Sequence, residues 1–169
     1  MKTILCYGDS NTWGMRPMGS LLSGDRHEWS DRWPSVVQDR LGTACRVIAE
    51  GLNGRTTVFD DPIDGEHKNG RRYLLPCLES HAPLDAVILM LGTNDLKARF
   101  HLGPYDIAAG AGQLVRMISP DVRGQNGLRP EVLLVSPPRI GPLRMFADAF
   151  TGAPEKSAQL VGHYRAVFD

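Results

Sequence analysis

Six successive apolar residues, Ala86 to Leu91, place the strongest constraint on the fold of this chain. A strand without polar alternation must be covered on both faces, as a central strand of a parallel sheet is. Pro83 interrupts the chain just before this run, so we predict a strand over residues 85–91. A sheet built around such a strand needs helices on both of its faces.

Three further segments have the composition of short strands, and all four are followed by helical periodicity. The predicted strands are 3–7, 45–50, 85–91 and 132–136, and the predicted helices are 32–41, 71–80, 104–118 and a segment from 154 onward. Pro76 lies inside the second helix, where proline disfavours continuity. Four strand–helix units without a repeated sequence predict an α/β fold, a three-layer sandwich with a central parallel sheet and right-handed crossovers.

The length, composition and charge of the chain limit the classes of protein to which it can belong. The 169 residues, 42% of them hydrophobic, suit one ordinary domain that spans 1–169. Basic and acidic residues number 19 each, so no basic block is present for nucleic acid or an anionic membrane, and we expect neither partner. The first residues lack a signal-peptide pattern, and no apolar run approaches the roughly 18 residues of a membrane span, so we expect a cytoplasmic protein.

Neither the cysteines nor the acidic residues form a metal-binding pattern. Cys6, Cys45 and Cys77 are odd in number and widely spaced, and we interpret them as buried apolar residues. The acidic segment 56–69 does not have the spacing of a calcium-binding loop and is expected to be a solvated loop. We therefore expect no metal and no organic cofactor.

Polar residues follow three of the predicted strands in glycine-containing turns. Ser10 follows the first strand, Gly54 the second and Asn94 the third. Because the carboxyl ends of parallel strands meet at one edge of the sheet, these residues are expected to converge there. Residues 15–31 are rich in glycine, proline and charge and are expected to form a loop over the same edge.

These three residues have the chemistry of an acyl-transfer site. A serine hydroxyl is an effective nucleophile when a base removes its proton and preformed donors stabilise the oxyanion that develops. The amide N–H of Ser10, the amide N–H of Gly54 and the carboxamide of Asn94 can supply such donors. Asp9 and Asp95 adjoin two of these residues and are expected to fix the turns by local hydrogen bonds.

The three segments Gly8–Ser10, Gly51–Thr57 and Gly92–Asp95, in this order and at strand ends, resemble the first three sequence blocks of the SGNH (GDSL-type) hydrolases. The similarity extends along almost the whole chain. It is greatest to the bacterial arylesterase and acyltransferase branch of that family, because of the segments 12–14, 50–57, 84–85, 90–95 and 136–138.

The resemblance implies a flavodoxin-like SGNH hydrolase fold and a function as serine esterase or acyltransferase on small carboxylic esters. It implies Ser10 as nucleophile, an acyl-serine intermediate, an oxyanion hole of Ser10, Gly54 and Asn94, a water or alcohol acceptor, and a homo-oligomer. It also implies a small substrate pocket lined by Asp9, Asn11, Trp13, Lys97, Phe146 and Phe150. Asn11 stands where the family usually has leucine, which bears on the shape of that pocket.

The family's base lies in an Asp-x-x-His block after a fifth strand, and this block is absent from the sequence. We therefore expect the chain to lack its last strand–helix unit. Of the five histidines, His101 is the best substitute, since it lies on the segment that continues from Asn94. Two alternatives remain open: a catalytically inactive domain that binds small acids or esters, and a phosphate or nucleotide binder, which the absence of both glycine-rich phosphate motifs disfavours.

Overall fold

The computed structural model describes residues 1–17, 25–118, 122, 124 and 127–167. Its strands are β1 (Lys2–Gly8), β2 (Cys45–Gly51), β3 (Ala86–Met90) and β4 (Glu131–Leu134). Its α-helices are α1 (Ser10–Trp13), α2 (Trp33–Leu41), α3 (Gly70–His81), α4 (Pro104–Met117) and α5 (Ala153–Arg165). Residues 18–24 of the predicted loop 15–31, and residues 168–169 of the predicted domain, lie outside the described residues.

The four strands form one parallel sheet in the order β2-β1-β3-β4, which confirms the predicted α/β architecture. Gly8 pairs with Gly51 on one side and with Met90 on the other, so the three strands end at the same level. Strand order reverses between β1 and β3, and open α/β sheets bind their ligands at such a reversal. The topology therefore brings the ends of β1, β2 and β3 to one ligand-binding edge.

Two clusters of buried side chains hold the helices to the sheet. The first packs one face of β1 and β3 against α3 and α4, through Leu5, Tyr7, Val87, Leu89, Leu74, Leu78 and Leu114. The second joins α4 to α5, through Ile107, Ala108, Ala111, Leu160 and Tyr164.

Helix α3 continues through Pro76, so the disfavoured position does not end it. Cys6 and Cys77 are buried as expected, whereas Cys45 is half-buried.

Helix α5 is tied to the ligand-binding edge through a buried tyrosine. The Tyr164 hydroxyl donates to the Leu91 carbonyl at 2.6 Å. A Cβ at the next residue, Gly92, would lie 2.4 Å from that hydroxyl, and Gly92 has a φ of +122°. Because both conditions exclude a side chain, only glycine fits between the end of β3 and α5.

Among the described residues, no helix has the length and apolarity needed to cross a lipid bilayer.

We expect the Tyr164→Phe substitution to destabilise the protein by about 1–3 kcal/mol, because it removes the donor from a buried carbonyl. Urea unfolding should show a lower midpoint with an unchanged m-value. Tyr105→Phe is the matched control, since Tyr105 is 70% exposed, and it should change stability by less than about 0.5 kcal/mol. Equal midpoints for wild type and Tyr164→Phe would contradict a stabilising role for this hydrogen bond.

Candidate active site

Ser10 is held at the start of a one-turn helix that begins directly after β1. The Asp9 carboxylate caps this helix, since its Oδ1 accepts from the Asn11 backbone N–H at 2.9 Å and from the Asn11 Nδ2 at 3.0 Å. The amide N–H of Ser10 lies in the first turn, where helix geometry supplies no acceptor. The turn therefore presents both the hydroxyl and the N–H of Ser10 at the strand end.

Gly54 lies in the turn that follows β2. The Arg55 N–H donates to the Leu52 carbonyl at 3.1 Å, which closes a four-residue turn with Gly54 at its third position. Gly54 has a φ of +82°, which glycine adopts without strain and other residues rarely adopt. No acceptor among the described residues takes the Gly54 N–H.

Asn94 lies in the 3₁₀ turn after β3, and its side chain is oriented by the neighbouring strand end. It is almost completely buried, and its Nδ2 donates to the Arg55 backbone carbonyl at 3.0 Å. A carboxamide has two N–H groups, so this bond uses one of them and leaves the other to donate elsewhere. Next to it, Asp95 accepts from the Thr57 backbone N–H at 3.0 Å and from the Thr57 hydroxyl, which joins the turns after β2 and β3.

The structure brings Ser10, Gly54 and Asn94 together in the wall of one cleft of about 1190 Å³. Of the predicted pocket residues, this cleft is also lined by Asn11, Lys97, Phe146 and Phe150. Asp9 and Trp13 are not among the lining residues. Asp9 is completely buried, and the centroid of the Trp13 ring lies 4.6 Å from the guanidinium carbon of Arg26, so a pocket role for these two residues stays a prediction.

Two buried carboxyl groups lie directly behind the cleft. Burial raises the pKa of Asp9, against the opposing effect of its hydrogen bonds with Asn11. Burial likewise raises the pKa of Asp95 to about 6, although its hydrogen bonds with Thr57 act in the opposite direction. Their expected role in fixing the turns agrees with the observed bonds.

The raised pKa of Asp95 predicts a pH-dependent stability. Since the pKa rises from 3.8 to about 6 on folding, the stability that Asp95 contributes is full below pH 3.8 and is lost as the pH rises through 6. From pH 4 to 7, the unfolding free energy of wild type should therefore fall by about 2 kcal/mol relative to Asp95→Asn. Urea unfolding across this range tests the prediction. The Asp9 charge also raises the pKa of Asp95, so the comparison is repeated with Asp9→Asn in both proteins. A pH-independent difference would contradict the prediction.

A network of four charged side chains adjoins the cleft: Asp64, Lys97 and Arg99 line it, and Asp61 is buried and does not. The Lys97 Nζ lies 3.1 Å from Asp61 and 2.6 Å from Asp64, and the Arg99 Nη2 lies 3.3 Å and 3.2 Å from the same carboxylates. Burial alone would raise the pKa of Asp61, but hydrogen bonds from the Asp64 and Ile63 amides and from Lys97 hold it at about 2. The network thus carries two positive and two negative charges, which balance.

His67, and not His101, lies in the wall of the cleft. The Thr56 N–H donates to the Lys68 carbonyl at 2.9 Å, which returns the acidic loop to the end of β2. This contact joins residues twelve positions apart, and no local sequence pattern indicates it. His101 does not line the cleft. Its closeness to Asn94 in the sequence therefore does not bring it to the site. No described side chain hydrogen-bonds the Ser10 hydroxyl.

One group of side chains in the described part of the chain has the composition of a metal site. Glu50, Cys77 and His81 offer ligand atoms that lie within 4.8 Å of one another. The His81 Nε2 already lies 2.8 Å from the Glu50 carboxylate, and burial raises the pKa of the Cys77 thiol to about 12. A protonated thiol beside a hydrogen-bonded histidine and glutamate is a structural arrangement.

Sequence comparison identifies one family. The sequence profile of the GDSL-like lipase/acylhydrolase family matches residues 6–168 of the chain. A search among proteins of curated function finds no significant match.

Solved structures share the fold at substantial identity. Est24, a carbohydrate acetylesterase from Sinorhizobium meliloti, superposes with a TM-score of 0.91 at 43% identity, over 99% of this chain and 79% of its own. The inhibitor-bound aryl esterase of M. smegmatis superposes with a TM-score of 0.92 at 42% identity, over the same shares. A carbohydrate acetylesterase family member from S. meliloti has a TM-score of 0.89 at 44% identity, over 99% and 78%.

Proposed function

We propose an acyl-serine mechanism for this chain, which belongs to the GDSL-like lipase/acylhydrolase family. The family and the structural neighbours make it an ester hydrolase. The observation that carries the mechanism is the convergence of a serine and three N–H donors, from three strand ends, in one cleft. In the proposal, Ser10 is the nucleophile, and Ser10, Gly54 and Asn94 form the oxyanion hole.

The reaction proceeds in two steps. The Ser10 Oγ attacks the ester carbonyl carbon, its proton passes to a base, and the carbonyl electron pair moves to the oxygen. The N–H groups of Ser10 and Gly54 and the second N–H of Asn94 stabilise that oxyanion. The C–O bond to the alcohol then breaks, and the alcohol leaves with a proton. In the second step, water or an alcohol attacks the acyl-serine and releases an acid or a new ester.

The lining of the cleft supports a small acyl group and a polar or aromatic alcohol group. Phe146 and Phe150 pack edge to face with their ring centroids 6.5 Å apart, and they close one side of the cleft. The charged side chains of Asp64, Lys97 and Arg99, which also line the cleft, offer both acceptors and donors to hydroxyl groups. The solved neighbours described as carbohydrate acetylesterase and aryl esterase act on esters of these two kinds.

A series of nitrophenyl esters and an acetylated sugar tests this specificity. We expect kcat/KM to be highest for acetyl esters and to fall by roughly tenfold or more for octanoyl esters, because extra methylene groups do not fit a small apolar pocket. Added alcohol should give a new ester in proportion to its concentration, which would establish acyl transfer. Equal rates for acetyl and octanoyl esters would contradict the small pocket.

Light scattering tests the predicted homo-oligomer, and a monomer in solution would contradict it.

A second candidate function rests on the Ser10 hydroxyl, which no described base contacts. In this alternative, the same oxyanion hole binds small carboxylic acids or esters without turnover. Calorimetry with acetate and mass spectrometry after incubation with an activated ester separate the two functions. Acylation of Ser10 supports the enzyme, and saturable acetate binding without any acylation supports the binding protein.

A further inference from the structure

Arg55 is a buried cation whose guanidinium is locked in place from several sides. The residue is 2% exposed, and its Nη1 donates to the Gly8 carbonyl at 2.9 Å and to the Glu50 carbonyl at 2.5 Å. Its Cζ lies 4.1 Å from the centroid of the Tyr7 ring, and the Tyr7 hydroxyl is itself bound to the Gly70 carbonyl at 2.7 Å. Such a stacked and doubly bonded guanidinium has little freedom to move.

The two carbonyls that Arg55 binds belong to the ends of two neighbouring strands. Gly8 ends β1 and lies two residues before Ser10, and Glu50 lies near the end of β2, four residues before Gly54. One guanidinium nitrogen therefore joins the two strand ends from which two of the proposed oxyanion donors emerge. The Gly8 carbonyl also accepts from the Leu52 N–H at 3.1 Å, which fixes the same junction.

The backbone of Arg55 reaches the third donor. Its carbonyl accepts from the Asn94 Nδ2 at 3.0 Å, and its N–H closes the turn that contains Gly54 through the Leu52 carbonyl at 3.1 Å. The position of this backbone depends on the side chain, because the buried guanidinium anchors the residue to both strand ends. All three proposed donors are thus connected through one residue.

We infer that Arg55 is a positioning residue for the oxyanion hole, holding Ser10, Gly54 and Asn94 in register through its guanidinium and its backbone carbonyl. This inference rests on the proposed acyl-serine function. Arg55 forms no ion pair within 4.0 Å with any carboxylate in the described part of the chain, so charge pairing does not explain its burial. The two carbonyls bound by its Nη1 and the Tyr7 ring stacked on its guanidinium do explain it.

Kinetics of Arg55→Met give the first test. This variant keeps the length of the side chain and removes its donors, so we expect kcat to fall on the order of 10²-fold while KM changes less than about threefold, as for a misplaced oxyanion donor. Arg55→Lys should give an intermediate kcat. Arg71→Met, an exposed arginine on α3, is the matched control and should behave as wild type. Leu114→Ala, a core substitution away from the strand ends, controls for lost stability.

A double-mutant cycle with Asn94→Ala separates positioning from general destabilisation. If Arg55 acts through Asn94, the effect of Arg55→Met on kcat should shrink below about tenfold once Asn94 is alanine. Fully additive effects would overturn the inference. So would a folded Arg55→Met protein with a kcat within about twofold of wild type, or a full wild-type kcat for Arg55→Lys if the methionine variant does not fold.

Nuclear magnetic resonance of uniformly ¹⁵N-labelled protein provides a readout that needs no turnover. We expect Arg55→Met or Arg55→Lys to shift the signals of the Gly54 amide and the Asn94 side-chain amide more than those of α5, and Arg71→Met to leave them unchanged. Unchanged Gly54 and Asn94 signals would overturn the inference. A wild-type protein that hydrolyses no ester contradicts the proposed function instead, and the spectra then still decide the role of Arg55.

Discussion

Replacing Ser10 by alanine is expected to reduce ester hydrolysis by about 10⁴-fold or more, which leaves only the acceleration that the oxyanion hole and substrate binding supply. The reason is that Ser10 supplies the nucleophile of the first step, without which no acyl-serine forms, while the N–H donors around it stay in place. Circular dichroism should show an unchanged fold, since the hydroxyl of this half-exposed residue has no hydrogen-bond partner among the described residues. Hydrolysis of nitrophenyl acetate by the purified variant is the measurement.

Ser30→Ala is the matched control for this experiment, because Ser30 is an exposed serine that does not line the cleft. It should retain wild-type kcat and KM. An Ser10→Ala variant that hydrolyses the ester at more than a tenth of the wild-type rate would contradict the assignment of the nucleophile.

Asn94→Ala is expected to lower kcat by about 10²–10³-fold, which corresponds to about 3–4 kcal/mol of transition-state stabilisation. The expected KM changes little, because the oxyanion forms only after the substrate has bound. The substitution also removes the donor to the Arg55 carbonyl, so we expect a loss of about 1–3 kcal/mol in folding stability. Kinetics at a temperature well below the melting point, together with urea unfolding, separate the two effects.

Asn53→Ala is the control for Asn94, since Asn53 is a second asparagine in the wall of the same cleft. It is not one of the proposed donors, so its kcat should lie within about threefold of wild type. Equal losses of kcat for the two variants would show that a polar cleft wall, and not a donor at Asn94, determines the rate.

The fold was accessible from the sequence because strand composition and helical periodicity are local signals. The predicted strand over residues 85–91 is found as β3, at Ala86–Met90, and the predicted helix over 71–80 is found as α3, at Gly70–His81. The convergence of Ser10, Gly54 and Asn94 followed from one general property, the common edge at which parallel strands end. The family resemblance is likewise confirmed by the match over residues 6–168.

The remaining features of the site depend on contacts between distant segments, which local patterns do not encode. Lys97 bonds Asp61 and Asp64 across separations of 36 and 33 residues, and this network turns a segment expected to be a solvated loop into a wall of the cleft. The same return of the loop brings in His67, where the sequence favoured His101. Arg55 lies within the Gly51–Thr57 motif, but its proposed role depends on carbonyls at the ends of β1 and β2, which the motif does not reveal.

The most direct test of the central claim is the site of covalent modification by a fluorophosphonate. This reagent reacts with activated serine hydroxyl groups and gives a tetrahedral adduct that occupies the oxyanion hole. We expect mass spectrometry of the digested protein to locate one adduct on the peptide that contains Ser10, and we expect no adduct on Ser10→Ala. An unmodified Ser10, or labelling that persists in Ser10→Ala, would contradict the account.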